Sequence, residues 1–527
     1  MPNFGSENTH WQKPPIILCI FAQKFNCSTQ LFMYLLGYDI GSSSIKAALV
    51  ETRTGRIAGA TQHPEREMPI MATHTDWAEQ HPSDWWDAVC AATKKLLQQT
   101  GIAPSDIAAI GISYQMHGLV IVDEHGEVLR PSIIWCDSRA VNIGQQAFER
   151  LGEKYCLEHY LNSPGNFTAS KLRWVSEQEP DIFARIHKFM LPGDYIAFRM
   201  TGEIRSTVTG LSEGVLWDFA ENTFAKKLLE QYNIPEKMLP EIVPVFTNQG
   251  KLTSEAAAAL GLAAGTVIGY RAGDQPNNAL SLNVLRPGEV AATGGTSGVV
   301  YAVASRPVFD AQQRVNSFAH VNFMPENPLT GVLLCINGAG SQYRWLRQHI
   351  GDPGLSYHDM EQLAASAGTG ADGVTILPFG NGAERMLGNR IIGSRMIGLN
   401  LNRHEKRHLY RAALEGIAFS FVYGVKMMGE MGISVKTLRA GNDNLFQSAI
   451  FSSTIATLLD AEIELIATTG AVGAAKAAGV SVGIFNSVEE AMQGGVSAGR
   501  YEPDTEHEPY QQAYERWKNE LVRALTG

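Results

Sequence analysis

Tyr38-Asp39-Ile40-Gly41-Ser42-Ser43-Ser44-Ile45-Lys46 reads as an apolar strand, a turn of glycine and serine, and a second strand. Further along, Ala292-Thr293-Gly294-Gly295-Thr296-Ser297-Gly298-Val299-Val300 repeats the device. With Gly41 aligned on Gly295, Ser42-Ser43 falls on Thr296-Ser297, and a β-branched apolar run follows in both copies. Each copy predicts a tight β-hairpin. Glycine and small hydroxyl residues leave backbone N–H groups free to face an anion, as in phosphate-binding nests. One hairpin in each half of the chain predicts a duplicated α/β fold that grips a polyphosphate from both sides.

The 527 residues are too many for one core and suit two domains of roughly 250 residues. An apolar content of 45% with 18% charged residues is that of an ordinary globular protein. A net charge of −10 argues against a nucleic-acid partner but leaves nucleotide binding open, because glycine-rich backbone and a metal ion supply positive field. The cysteines at 19, 27, 90, 136, 156 and 335 form no CxxC or Cys/His cluster, which predicts reduced thiols and a cytoplasmic protein. No stretch approaches the ~18 apolar residues of a membrane span. Ile16 to Ala22 is apolar but lacks a cleavage-site pattern, and Met33 precedes the first clear strand. The expected division is an N-terminal extension over 1–32, outside the fold, then domains over 33–280 and 281–527.

Outward from the first hairpin, strands are expected over Tyr34–Ile40, Ile45–Glu51, Arg56–Gln62 and Ile107–Ser113, with a helix from Pro82 to Gln99. A local hairpin is expected at Gly118–Asp123 with the turn Glu124–Glu127, and helices over Val141–Leu151, Ser170–Gln178 and Asp194–Thr201. A strand over Thr266–Tyr270 runs into Ala272-Gly273-Asp274-Gln275. The second half repeats the order, with strands at Glu289–Thr293, Val299–Val303, Val332–Asn337 and Thr437–Ala440, a long core helix at Glu405–Met431, and a small-residue helix at Ala471–Gly479.

Several groups carry chemistry. Asp39 is either a turn former or a carboxylate near the phosphates, placed to hold Mg²⁺ through water. Lys46 points to phosphate or to solvent. Gln115-Met116-His117-Gly118 and Trp135-Cys136-Asp137-Ser138-Arg139 collect amide, imidazole, carboxylate and guanidinium groups that suit a polyhydroxylated ligand. Trp77 and Trp135 stack on a sugar or fill the core. Asp274, directly after a strand, is a turn residue or a general base that takes a hydroxyl proton as attack on phosphorus develops.

Together these stretches, with Asp76-Trp77-Ala78-Glu79-Gln80-His81-Pro82 and Asp194-Tyr195 through Thr201-Gly202-Glu203, resemble the FGGY family of carbohydrate kinases from about Tyr34 to Gly483. The Gln-Met-His-Gly run is closer to members acting on xylulose than to those acting on glycerol. The resemblance implies two ribonuclease-H-like domains of the actin-like ATPase type with a cleft between them. It implies ATP and Mg²⁺, Asp274 as general base and Asp39 as the metal-associated carboxylate. Gly41, Ser42, Ser43, Lys46, Gly295, Thr296 and Ser297 are then on the phosphates, and Gly338, Gly441 and Asn442 on the nucleotide side. Gln115, Met116, His117, Gly118, Trp135, Asp137, Arg139 and Gln275 are on the sugar. The expected reaction is ATP-dependent phosphorylation of D-xylulose, and a homodimer is among the assemblies the resemblance allows.

Three stretches depart from the family pattern. Gln275 stands where members acting on xylulose carry asparagine, which keeps a kinase for another ketose, a pentitol or glycerol as the alternative. The adenine loop reads Ala440-Gly441-Asn442-Asp443, and the usual Gly-Glu-Arg-Thr-Pro run appears as Gly382-Ala383-Glu384-Arg385-Met386. Two further rivals are a chaperone-type ATPase and a catalytically silent sugar sensor. The first expects an extra peptide-binding domain where only about 45 residues follow Gly483; the second tolerates loss of Asp274, which is present.

Overall fold

A computed structural model describes residues 33–527, so the expected extension over 1–32 lies outside the described residues. The opening hairpin forms with β1 (Tyr34–Ile40) antiparallel to β2 (Ile45–Glu51), Ile40 opposite Ile45. Strand β3 (Ile57–His63) extends it on one side. On the other, β4 (Ile107–Tyr114) and β5 (Val267–Gly273) add in parallel, giving the order β3-β2-β1-β4-β5. Both faces of β1 and β4 are buried, as expected of strands covered by helices on each side. One cover is α1 (Pro82–Thr100), started by proline in its first turn and stopped by Gly101 at φ +67°, with Trp85, Val89, Ala92 and Leu96 inward.

The second sheet repeats the plan. Strands β6 (Glu289–Gly294) and β7 (Gly298–Ala304) form the second hairpin. Around it lie β8 (Asn316–Ala319), β9 (Thr330–Ile336), β10 (Thr437–Gly441), β11 (Ile463–Ala467) and β12 (Val496–Tyr501), in the order β8-β9-β7-β6-β10-β11-β12. Its inner five strands match the first sheet strand for strand, with the same antiparallel trio followed by two parallel additions. The polyphosphate-type turns therefore sit at equivalent places in two copies of one topology.

Four helices carry site residues or their supports: α2 (Thr168–Gln178), α3 (Val208–Glu213), α4 (Asp274–Ser281) and α5 (Gly340–His349). The core of the second half is built on α6 (Lys406–Glu430), buried along most of its length. The small-residue helix is α7 (Gly470–Ser481), and it crosses back to lie on the first sheet. A Cβ at Gly37 would overlap the Ala471 carbonyl oxygen, and one at Gly111 the Ala474 carbonyl oxygen. Bare backbone on the sheet and alanines on the helix allow that approach.

One expectation is corrected. Residues 119–122 do turn back through Asp123–Glu127, with isolated antiparallel bridges from Val122 to Val128 and from Leu119 to Ile133, but the ladder partner of 120–122 is the distant Lys188–Met190. Burial drives this: Val120, Ile121 and Val122 are all inaccessible, so the strand pairs where a core can close over it.

Candidate active site

The three parallel strands β1, β4 and β5 are neighbours, and their C-terminal ends carry the chemistry. Asp39 pairs in register with Ser113, and Gly273 with Tyr114, so Asp39, the Gln115–Gly118 turn and Asp274 emerge from one edge of one sheet. Ligands of open α/β sheets bind at such an edge. The N–H groups of Ser42 and Ser43, and those of Gly295, Thr296 and Ser297 in the second hairpin, bond to no described residue. Lys46 is exposed and lies directly opposite Asp39 on the same face.

His117 sits in the left-handed region at φ 62°. Its Nδ1 meets the Glu213 carbonyl oxygen at 2.8 Å, and its ring packs against Phe167 and, across the domain boundary, Phe318. Burial, then the nearby Lys171 charge, drive its pKa down to about 3, so the ring is neutral and its tautomer is set by the Glu213 carbonyl. Met116 is buried beside Gly273: a Cβ there would lie 2.7 Å from Met116 Cγ. Gln115 is buried, and its side-chain amide finds no protein partner among the described residues. Gly118 packs against Pro192 so closely that a Cβ would lie 2.9 Å from its Cδ.

The Trp135–Arg139 stretch divides. Trp135 is 53% exposed and its indole N–H reaches Ser42 Oγ at 3.3 Å, tying this loop to the first phosphate turn. Asp137 and Arg139 are sealed instead. The Asp137 carboxylate takes the Ala78 N–H and three N–H groups of Arg139, and Arg139 also pairs with Glu79 at 2.7 Å. The Arg139 guanidinium lies 3.8 Å from the Trp77 ring centre. In this conformation Asp137, Arg139 and Trp77 brace the loop from beneath rather than face a ligand.

Two residues outside the sequence motifs support this wall. Lys171 of α2 is fully buried and donates to the His117 and Ile134 carbonyls, 2.9 Å each, clipping the two loops together. Burial lowers its pKa to about 7. Glu213 of α3 is also fully buried; a Cβ at Gly273 would overlap its Oε2, and the Tyr114 hydroxyl lies beside its carboxyl group. Burial, then the charges of Asp274 and Asp194, hold it well above the usual carboxylate range.

Asp274 opens α4, half-buried with protein around it. Its pKa is pushed up to about 7, chiefly by burial and then by the Asp39 charge, while the Gln275 amides oppose the shift. Asp39 Oδ1 accepts from Ser113 Oγ at 3.0 Å, and its other oxygen faces the start of α7, where a Cβ on Gly470 would come within 3.1 Å. Asn277 donates to the Gly470 carbonyl and leaves its buried Oδ1 without a described partner. No cluster of three or more His, Cys, Asp or Glu suited to a metal occurs among the described residues. The oxygen-only set of Asp39 and Asn277 fits a cation such as Mg²⁺ that keeps most of its waters and shares phosphate oxygens.

On the second domain a cavity of about 520 Å³ opens beside the second hairpin, lined by Gly295, Thr296 and Gly340 together with Tyr343, Tyr357, Glu361, Asn444 and Gln447. The Gly340 and Ser341 N–H groups bond to the Gly295 and Thr296 carbonyls, stacking this turn on the start of α5. Gly338 does not line the cavity: its N–H is spent on Glu384 Oε1 at 2.9 Å, and a Cβ there would overlap the Pro378 carbonyl. Gly441 and Asn442 also lie off the lining, to which Asn444, Leu445, Gln447 and Ser448 contribute. Tyr343, Tyr357 and Glu361 were not signalled by any motif; the Ser356–Asp359 capping box announces a helix but not where it folds.

Duplicated ribonuclease-H-like sheets, each presenting a phosphate-type turn, define an actin-like ATPase fold of the phosphotransferase kind. The model of the FGGY carbohydrate kinase N-terminal domain matches residues 34–281 and that of the C-terminal domain residues 290–482; the chain belongs to the FGGY family of carbohydrate kinases. It is 29% identical to a xylulose kinase of Staphylococcus epidermidis, covering 91% of this chain and 95% of that one. It is 30% identical to a xylulose kinase of Escherichia coli, covering 77% and 81%. The crystal structure of xylulose kinase from Rhodospirillum rubrum superposes with a TM-score of 0.83 at 27% identity, covering 93% of this chain and 98% of that one. The protein is thus a sugar kinase, and its family implies ATP as phosphoryl donor. Among the described residues no helix is long and apolar enough to cross a membrane.

Proposed function

We propose that this kinase transfers the γ-phosphoryl group of ATP to the terminal hydroxyl of D-xylulose, with Asp274 as general base. The observation that supports this most is a half-buried carboxylate at the start of α4, beside Met116 and on the same sheet edge as His117 and Asp39. A sugar hydroxyl is far too weak an acid to ionise first, so Asp274 accepts its proton as the bond to phosphorus forms. Neutral His117 and the Gln115 amide offer the sugar hydrogen-bonding groups without charge. Mg²⁺, held by Asp39 and Asn277 through water, would neutralise charge on the phosphates.

The similarity to proteins named xylulose kinase supports the sugar. Gln275 beside the base supports the second reading, another ketose, a pentitol or glycerol. A panel of these acceptors with ATP and Mg²⁺, read by coupled ADP release, decides between them, and the highest kcat/KM on D-xylulose is expected. In the same assay Asp274→Ala loses about 10²–10⁴-fold in kcat and keeps sugar affinity by calorimetry. Turnover like the wild type in that variant refutes the role of the base.

A further inference from the structure

The Gly382–Met386 run, which matches the family pattern imperfectly, contains a cation with no anionic partner among the described residues. Both Glu384 oxygens are occupied by backbone, Gly338 N–H at 2.9 Å and Asn337 N–H at 3.1 Å, and Asn337 Nδ2 donates to the Ala383 carbonyl at 2.7 Å. Residues 383–385 are thereby riveted to the end of β9. That end pairs with the strand leaving the second phosphate turn, Ile336 opposite Gly298 and Cys335 opposite Val299. Arg385 donates through Nε to the Gln313 carbonyl at 2.8 Å, and its two Nη groups bond to no described residue. Its charge acts on the His117 ring of the other domain and on Cys335, a cleft-facing thiol that also senses Asp274. Of the nearby carboxylates, Asp310 is committed to Arg314 at 2.9 Å through both oxygens, and Glu384 to backbone. A half-buried guanidinium without a counter-ion among the described residues favours a ligand that supplies the charge.

We propose that Arg385 binds the phosphoryl group in transfer and the phosphate ester it becomes, through the guanidinium edge left free by Gln313. The inference rests on the ATP-dependent kinase reading above. In that step a new P–O bond forms to the sugar hydroxyl oxygen, the bond from phosphorus to the β–γ bridging oxygen breaks, ADP leaves, and the hydroxyl proton passes to Asp274. Arg385 is anchored to the strand end that pairs with the strand leaving the second phosphate turn, and its planar fork matches two phosphoryl oxygens.

Arg385→Gln and Arg385→Lys in the full chain test this. Loss of about 10²-fold or more in kcat is expected for Arg385→Gln, with partial recovery in Arg385→Lys, which keeps charge but not the fork. By calorimetry, affinity for the sugar phosphate product falls at least about tenfold, while free sugar and ADP bind within about threefold of wild type. Matching thermal melts establish that both variants fold. Turnover within about threefold of wild type, or free-sugar affinity falling as far as kcat, overturns the proposal. Failure of the wild type on D-xylulose counts against the substrate reading alone, because the Arg385 comparison runs on whichever acceptor the panel selects.

Discussion

Lys171→Met isolates the support behind the sugar wall. Lys171 holds two carbonyls, of His117 and Ile134, at 2.9 Å each, from a side chain with no solvent exposure. Methionine keeps the volume but strands both acceptors, at about 1–3 kcal/mol for each buried unsatisfied group. Against this, removing an amine whose pKa burial has already driven to about 7 relieves a desolvation cost. The net expectation is a loss of about 2 kcal/mol, a modest downward shift in Tm. The functional effect is the sharper one. His117 occupies φ 62°, a conformation that costs a non-glycine residue about 1–2 kcal/mol and persists while its carbonyl is held. Releasing it lets the imidazole leave the Glu213 carbonyl, and sugar KM should rise about tenfold, equivalent to about 1.4 kcal/mol. The KM for ATP should stay within about twofold, since the 520 Å³ cavity lies in the other domain. Steady-state kinetics in both substrates, with urea denaturation alongside, read all three numbers. Lower stability with unchanged sugar KM would refute the argument and leave Lys171 a packing residue.

The pH profile follows from Asp274. A base with a pKa of about 7 must be ionised to work, so kcat/KM for the sugar should fall roughly tenfold per unit below that value. For stability, the native pKa lies above the ordinary aspartate value of 3.8, so the native state alone holds this proton between the two values. Stability from this group is full below the lower value and is lost as pH rises through the higher one. Asp274→Asn should therefore melt above wild type at pH 8 and converge with it in acid; a lower melt at pH 8 would contradict the raised pKa. Gly111→Ala places a methyl on the Ala474 carbonyl oxygen and should cost about 3 kcal/mol or more in urea denaturation, because neither the strand nor α7 has a side chain that can yield. A loss under about 0.5 kcal/mol would show that α7 is not seated as described.

The fold was legible wherever local chemistry decides local shape. Both hairpins, the strand from Ile107, the helix begun by Pro82 and the small-residue helix before Ser481 all fall within a few residues of the expected bounds. What sequence pattern left open was partnership. Residues 120–122 run into a turn as a local hairpin should, yet their ladder is with a strand nearly 70 residues on. The alanines of α7 announce close packing but not that the partner is the sheet of the other half. Partner choice depends on where a core can close, and that is a property of the assembled layers rather than of a window of residues.

The site divides along the same line. Small residues in sequence announce turns with free backbone N–H groups, and those of Ser42, Ser43, Gly295, Thr296 and Ser297 bond to no described residue; Asp274 stands out because it directly follows a strand. Asp137 and Arg139 carry the right groups for a sugar, but each satisfies the other, and with Glu79 and Trp77 they form a mutually bonded network. Gly338 has the right residue type for a nucleotide loop, yet its N–H belongs to Glu384. Burial also acts the other way. Lys171 and Glu213 read as ordinary charged positions on helices, and only their burial beside His117 and Gly273 gives them a role. Whether a polar group serves a ligand depends on what remains unpaired after folding, and composition along the chain carries no record of that. Arg385 is the case where this balance, two Nη groups and no free carboxylate to meet them among the described residues, points to a ligand that motif spacing leaves unassigned.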